Sequence, residues 1–187
     1  MSRILTNLAE GVHGVEDAYV NWYLVEEDGE VTVVDTGHPR SWRLLAEALR
    51  TIGRVPSDVS AVVLTHGHFD HMGFARRAHR ELSVPVYIHA EDAGVAKHPW
   101  RYDHERARTP YLLRYPGFRR ALAARSRTRR RGPQIVSGAA TANSATALNS
   151  LSAVAASGAQ TVLPGHGAAW RQGAEEIAAR AREAGPS

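Results

Sequence analysis

Apolar and polar positions organise the first half of the chain into short alternating segments. Tyr19 to Val25 is rich in β-forming residues, and Val31 to Val34 repeats that pattern after Asp28-Gly29. An Asp-Gly pair between two such runs is a hairpin signal, so a β-hairpin is expected here. Leu45, Ala48, Leu49 and Ile52 then recur at helical spacing, with Ser41 as a candidate cap and Gly53 as a stop. Ala61 to Leu64 is a short continuous apolar run, as in a strand buried on both faces. The pattern predicts a helix over Asp70 to Glu81 and a strand over Val84 to Ile88, punctuated by Pro85. Strands separated by helices predict an α/β fold.

The second half is less regular. Arg101 to Arg131 is polar and arginine-rich. Asn143 or Ser144 can cap a helix to Ser157, with Leu148, Leu151 and Val154 or Ala155 facing inward and Gly158 ending it. Thr161 to Leu163 predicts a short strand before "PGHG", and Ala174 to Ala184 a surface helix. With no internal repeat or clear linker, residues 1–187 are expected to form a single domain. No apolar run approaches the ~20 residues of a membrane span. The N-terminal stretch "MSRILTNLAEGVHG" has no long apolar segment of a secretory signal, so a cytoplasmic location is the expectation.

Composition narrows the chemistry. The chain has no cysteine, which excludes disulfides and thiolate metal sites. Any zinc site must therefore use histidine and carboxylate. The net charge is +4, and Lys97 is the only lysine. The arginine and alanine richness reads first as genome base composition.

One stretch stands apart. "VVLTHGHFDHMG" (Val62 to Gly73) places His66, His68, Asp70 and His71 within six residues, directly behind the Ala61–Leu64 run. Ligands bind at the carboxyl ends of strands in α/β sheets. Gly67 permits a tight turn. His66 and His68, two apart, point the same way in an extended loop. Imidazole and carboxylate together suit zinc or a similar divalent ion, and four such groups could serve two metals. The competing reading is a polar loop with coincidental histidines; the strand before and the helix after weigh against it.

"THGHFDH" resembles the signature of the metallo-β-lactamase-fold hydrolases, among them glyoxalase II-like thioesterases, lactonases and nucleases. Three further stretches agree in order: "NWYLVEEDGEVTVVDTG" (Asn21 to Gly37), "VPVYIHAEDA" (Val84 to Ala93) and "TVLPGHG" (Thr161 to Gly167). The resemblance implies an αββα sandwich. It assigns His66 and His68 to a first metal, and Asp70, His71 and His166 to a second, with Asp70 also catalytic. Asp35 would match a buried aspartate that orients the ligands. His38 and His89, beside the motifs, are candidates for lining the substrate site. His13, His79, His98 and His104 lack motif context and read as structural or solvated.

Two elements of the family pattern are missing. A "Thr-Pro-Gly-His-Thr"-like turn completes the first metal site, and a "Gly-Asp" turn bridges both metals. Neither is found between Ile88 and Thr161, and the 42 residues from Arg119 to Gln160 contain no histidine, aspartate or glutamate. The same stretch holds no convincing β-run. The second sheet is accordingly expected to be truncated. Three ligands and a position open to water mark a catalytic zinc, so one zinc is expected, at Asp70, His71 and His166. Two remain compatible with the cluster, as do other divalent metals.

The leading expectation is a metal-dependent hydrolase acting on a small-molecule ester, thioester, lactone or phosphoester, with an incomplete and weakly active site. The alternative is a non-catalytic relic that keeps the fold and at most one metal. A third reading, nucleic-acid binding through the basic run Arg119–Arg131, has seven arginines without acids in its favour but no base-reading module. Trp100, Tyr102, Tyr111, Tyr115 and Phe118 are candidates for a substrate cover. Loss of strands would expose a sheet edge, and a homodimer through that edge is expected.

Overall fold

The computed structural model describes residues 2–98, 132–136 and 141–185. The described residues group into two compact units. One holds residues 2–98 with 165–167, and the other residues 132–136, 141–164 and 168–185.

The first unit is built on a six-stranded sheet whose strands lie side by side in chain order. They are β1 (Arg3–Ala9), β2 (Val12–Asp17), β3 (Val20–Glu27), β4 (Glu30–Val34), β5 (Val59–Val63) and β6 (Val86–Tyr87). The first four pair antiparallel, and β4, β5 and β6 run parallel. Parallel neighbours need crossovers, supplied here by α1 (Trp42–Thr51) and α2 (Ala75–Leu82). The fold is thus α/β with a mixed sheet.

Alternation sorts the sheet's two faces. Trp22 and Leu24 of β3, Val31 and Val33 of β4, and Val62 of β5 are buried together with Leu44, Leu45, Ala48 and Leu49 of α1. Phe74 joins the same cluster. Its ring meets Trp22 edge-on at 5.2 Å and Trp42 at 5.7 Å, and the Arg77 guanidinium lies over Trp42. The Asp28-Gly29 hairpin forms as expected, with both residues at positive φ. Helix α1 carries the expected apolar face and stops at Gly53.

Several expectations are corrected. Strands β1 and β2 were not anticipated. Ser41 stands at the start of α1 but does not cap it; its hydroxyl donates to Asp17 Oδ2 at 2.8 Å. The helix expected from Asp70 begins only at Ala75, because residues 70–74 form turns. The strand expected over Val84–Ile88 contracts to Val86–Tyr87. The Val84 side chain is buried in the core, and the Pro85 carbonyl accepts from the Val62 N–H. A 3-10 turn at Ala90–Asp92 and α3 (Ala93–Lys97) follow β6.

The second unit contains α4 (Ser144–Ala156) and α5 (Ala174–Ala184), packed on each other. Asn143 caps α4 by accepting from the Thr146 N–H at 2.9 Å. Leu148, Leu151 and Ala155 are half-buried along α4, while Val154 is exposed. Thr161–Leu163 is not a strand: Val162 makes a single bridge to Trp170, the only pairing outside the sheet among the described residues. Arg101–Arg131 and its aromatic residues lie outside the described residues, as do Trp100 and His104.

Candidate metal centre

Three chain segments of the first unit supply the site: the β5–α2 loop, the turn after β4, and the 165–167 loop. Strand β5 ends at Val63, and the chain then turns sharply. Gly67 is buried, and its N–H donates to the Asp92 carboxylate at 3.2 Å. Asp70 and His71 follow in the turn before α2, both buried.

The Asp35 carboxylate organises the cluster. Asp35 is buried at the end of β4 in a left-handed conformation, φ 60°, rare for a residue with a side chain. It accepts from the Thr65 N–H and from His71 Nδ1, each at 2.8 Å. The Thr65 hydroxyl also donates to it, at 2.8 Å. A carboxylate only accepts, so a neutral His71 carries its proton on Nδ1 and presents Nε2 as a lone pair. The same logic fixes His166: its Nδ1 donates to the Tyr19 carbonyl at 3.0 Å, leaving Nε2 as the lone pair.

Those two Nε2 atoms face each other at 3.2 Å, and Asp70 Oδ2 lies 3.6 Å from His166 Nε2. One ligand atom from each of Asp70, His71 and His166 falls within 4.8 Å of the others. Two neutral imidazoles opposed through their lone pairs cannot form a hydrogen bond. Only a cation, either an added proton or a metal ion, makes that contact favourable. Tetrahedral ligands at ~2.0–2.2 Å from zinc stand roughly 3.3–3.6 Å apart, so this donor set fits a divalent ion in both chemistry and spacing.

His66 and His68 form a different arrangement. The Thr65 hydroxyl spends its proton on Asp35 and so accepts from His66 Nδ1, at 2.9 Å. His66 Nε2 is then an acceptor, and His68 Nδ1 sits 3.1 Å from it. A neutral His68 with its proton on Nδ1 closes that pair as an ordinary hydrogen bond. Burial, with the neighbouring His71 and His68 rings, pushes the His66 imidazole down to about 4, so it is neutral near pH 7. The His66 and His71 rings are 4.3 Å apart, which joins the two pairs into one cluster.

Of the five candidate ligands, Asp70, His71 and His166 bring ligand atoms within 4.8 Å of one another, His66 and His68 lie beside them through the His66–His71 ring contact, and Asp35 is hydrogen-bonded to His71. The His38 ring lies 6.1 Å from the Phe69 ring, centre to centre. His89 is exposed and accepts from the Glu91 N–H. His13 pairs with Glu26 at 2.8 Å and His79 with the Val84 carbonyl, both structural. Sequence reasoning missed Thr65, Asn21 and Tyr19. Thr65 stood inside the motif, but nothing in spacing tells a hydroxyl that bridges Asp35 to His66 from a solvated one.

The family model of the Metallo-beta-lactamase superfamily matches residues 15–136, and the chain belongs to that family. A probable metallo-hydrolase, YflN of Bacillus subtilis, is 35% identical over 88 residues, covering 45% of this chain and 33% of that protein. Metallo-beta-lactamase domain-containing protein 1 of Xenopus laevis is 33% identical over 118 residues, covering 54% of this chain and 46% of its own length. Among solved structures, the class B3 di-zinc metallo-beta-lactamase LRA-12 from an Alaskan soil metagenome is similar at 19% identity and a TM-score of 0.47, over 50% of this chain and 35% of that one. The chain thus spans a third to about half the length of these relatives.

Proposed function

We propose that this chain is a metal-dependent hydrolase that holds one divalent ion, zinc by its donor set, at Asp70, His71 and His166. The observation that carries the reading is the 3.2 Å approach of the His71 and His166 Nε2 atoms, with the Asp70 carboxylate beside them. When bound, such an ion supplies Lewis acidity, polarising a carbonyl or phosphoryl oxygen and acidifying water toward a pKa of ~7.

The chain's own residues do the rest. Asp35 fixes the His71 tautomer, and Asp70 sets a buried carboxylate beside His166 Nε2, where it would help hold the ion. A single-ion site with two further histidines beside it is expected to be a weak catalyst, since a misplacement of about 1 Å costs on the order of a hundredfold in rate. The substrate class is a small ester, thioester, lactone or phosphoester. Hydrolysis of a panel of these, with and without chelator, tests the proposal. Chelator-sensitive turnover that disappears in Asp70→Ala supports it, and turnover indifferent to both defeats it.

A non-catalytic relic is the second reading. It is favoured by one fact: among the described residues, no third ligand joins His66 and His68. A homodimer through the β6 edge, where Tyr87 is exposed, is part of the proposal, as is a cytoplasmic location. Among the described residues, no helix is long and apolar enough to cross a membrane. The basic run Arg119–Arg131 lies outside the described residues.

A further inference from the structure

We infer that Asn21 is a positioning residue that clamps the 165–167 loop and so sets His166 against Asp70 and His71. The inference rests on the metal-binding reading above and adds a residue remote from the ligand atoms. The Asn21 main-chain N–H donates to the Gly165 carbonyl at 2.8 Å. Its side-chain Nδ2 donates to the Gly167 carbonyl at 2.7 Å. The two bonds grip the tripeptide on either side of His166. Tyr19, two residues earlier, accepts the His166 Nδ1 proton at 3.0 Å.

The holding element is a strand and the held element is a loop. Asn21 is buried in β3, paired with Glu16 across the β2–β3 ladder. Residues 165–167 belong to no helix or strand, and the His166 side chain is 41% exposed. Apolar burial therefore does little to place this ligand, and directional hydrogen bonds must do it. Contact is close on the ligand side too: a Cβ added at Gly165 would collide with the His71 ring. The turn that aims the Tyr19 carbonyl is itself strained. Ala18 and Tyr19 both sit at positive φ, 53° and 70°, where a two-residue hairpin favours asparagine or glycine.

A purely architectural asparagine would cost stability when removed but would leave metal affinity intact in the folded protein. A positioning asparagine acts through His166. Co2+ titration, followed by the visible absorption of the bound ion, separates the two in wild type, Asn21→Ala, His166→Ala and the double variant. Asn21→Ala is expected to weaken Co2+ binding about tenfold or more, and to add no further loss when His166 is already alanine. Asn21→Asp, which keeps the size but removes the donor, serves if Asn21→Ala does not fold.

In the metal-free chain, 15N NMR of the imidazole rings is expected to find His166 with its proton on Nδ1 in wild type and on either nitrogen in the variant. Wild-type affinity in Asn21→Ala, an equal loss with and without His166, or mixed His166 tautomers in the wild type would each overturn the inference. A wild-type chain that takes up no Co2+ would instead defeat the metal reading, leaving the metal-free tautomer to decide the clamp.

Discussion

His71 and His166, 95 residues apart in the chain, meet through their Nε2 atoms at 3.2 Å. Each ring has its other nitrogen bound to an acceptor that cannot donate, Asp35 for His71 and the Tyr19 carbonyl for His166. The fold thus holds two lone pairs together at a cost, and a bound cation reverses that cost. The His66–His68 pair carries no such penalty, which is why the candidate ion belongs at the other end of the cluster.

Replacing Asp35 tests the tautomer directly. In Asp35→Asn the amide can present its N–H to His71 Nδ1, turning the proton to Nε2 and blocking the ligand position. Zinc affinity, measured by competition with a chelating dye, is expected to fall about 10–100-fold. An unchanged affinity would show that Asp35 does not orient His71.

Gly165→Ala places a methyl group in the His71 ring. The loop must move outward, taking His166 with it. Metal binding is expected to fall at least as far as in His166→Ala, while the melting temperature of the metal-free chain changes little. A Gly165→Ala protein with normal metal uptake would contradict the close approach.

Stability in acid should follow Glu26. The Arg54 guanidinium, 2.6 Å away, holds the Glu26 carboxyl below its ordinary value of 4.5, and the His13 ring assists. A carboxyl depressed by folding contributes stability that is present above the ordinary value and lost as pH falls through the folded one. Urea denaturation across that range should show a declining limb below about pH 4.5 that is shallower in Glu26→Gln. Identical limbs would remove Glu26 from the account.

The core has its own keystone. Phe74 is buried between Trp22 and Trp42 and begins the turn into α2. Phe74→Ala is expected to destabilise the protein by about 3–5 kcal/mol in denaturant unfolding. A loss under 1 kcal/mol (roughly the cost of a surface change) would mean the aromatic cluster is not part of the cooperative unit.

Much of the site was legible because its chemistry is local. Four of the five candidate ligands fall within six residues, and "PGHG" carries the fifth. The α5 helix, Ala174–Ala184, and the Asp28-Gly29 hairpin follow from patterning that no tertiary contact overrides. Strands β1 and β2 escaped because their polar residues are satisfied by partners distant in sequence. His13 and Asp17 are buried in β2 against Glu26 and Ser41, so the apolar alternation that marks a strand is absent. Ser41 was misread for the same reason, since Asp17 claims its hydroxyl. Residues 70–74 looked helical by composition, yet the Asp70 and His71 backbone must turn to aim both side chains at His166. Asn21 gave no signal, because its role exists only once Gly165 and Gly167 arrive beside it.

Native mass spectrometry of the zinc-loaded chain, beside His166→Ala, bears most directly on the whole account. One tightly held zinc per chain, lost in the variant, is the expected result. No retained zinc, two equally tight ions, or a single ion indifferent to His166 would contradict it.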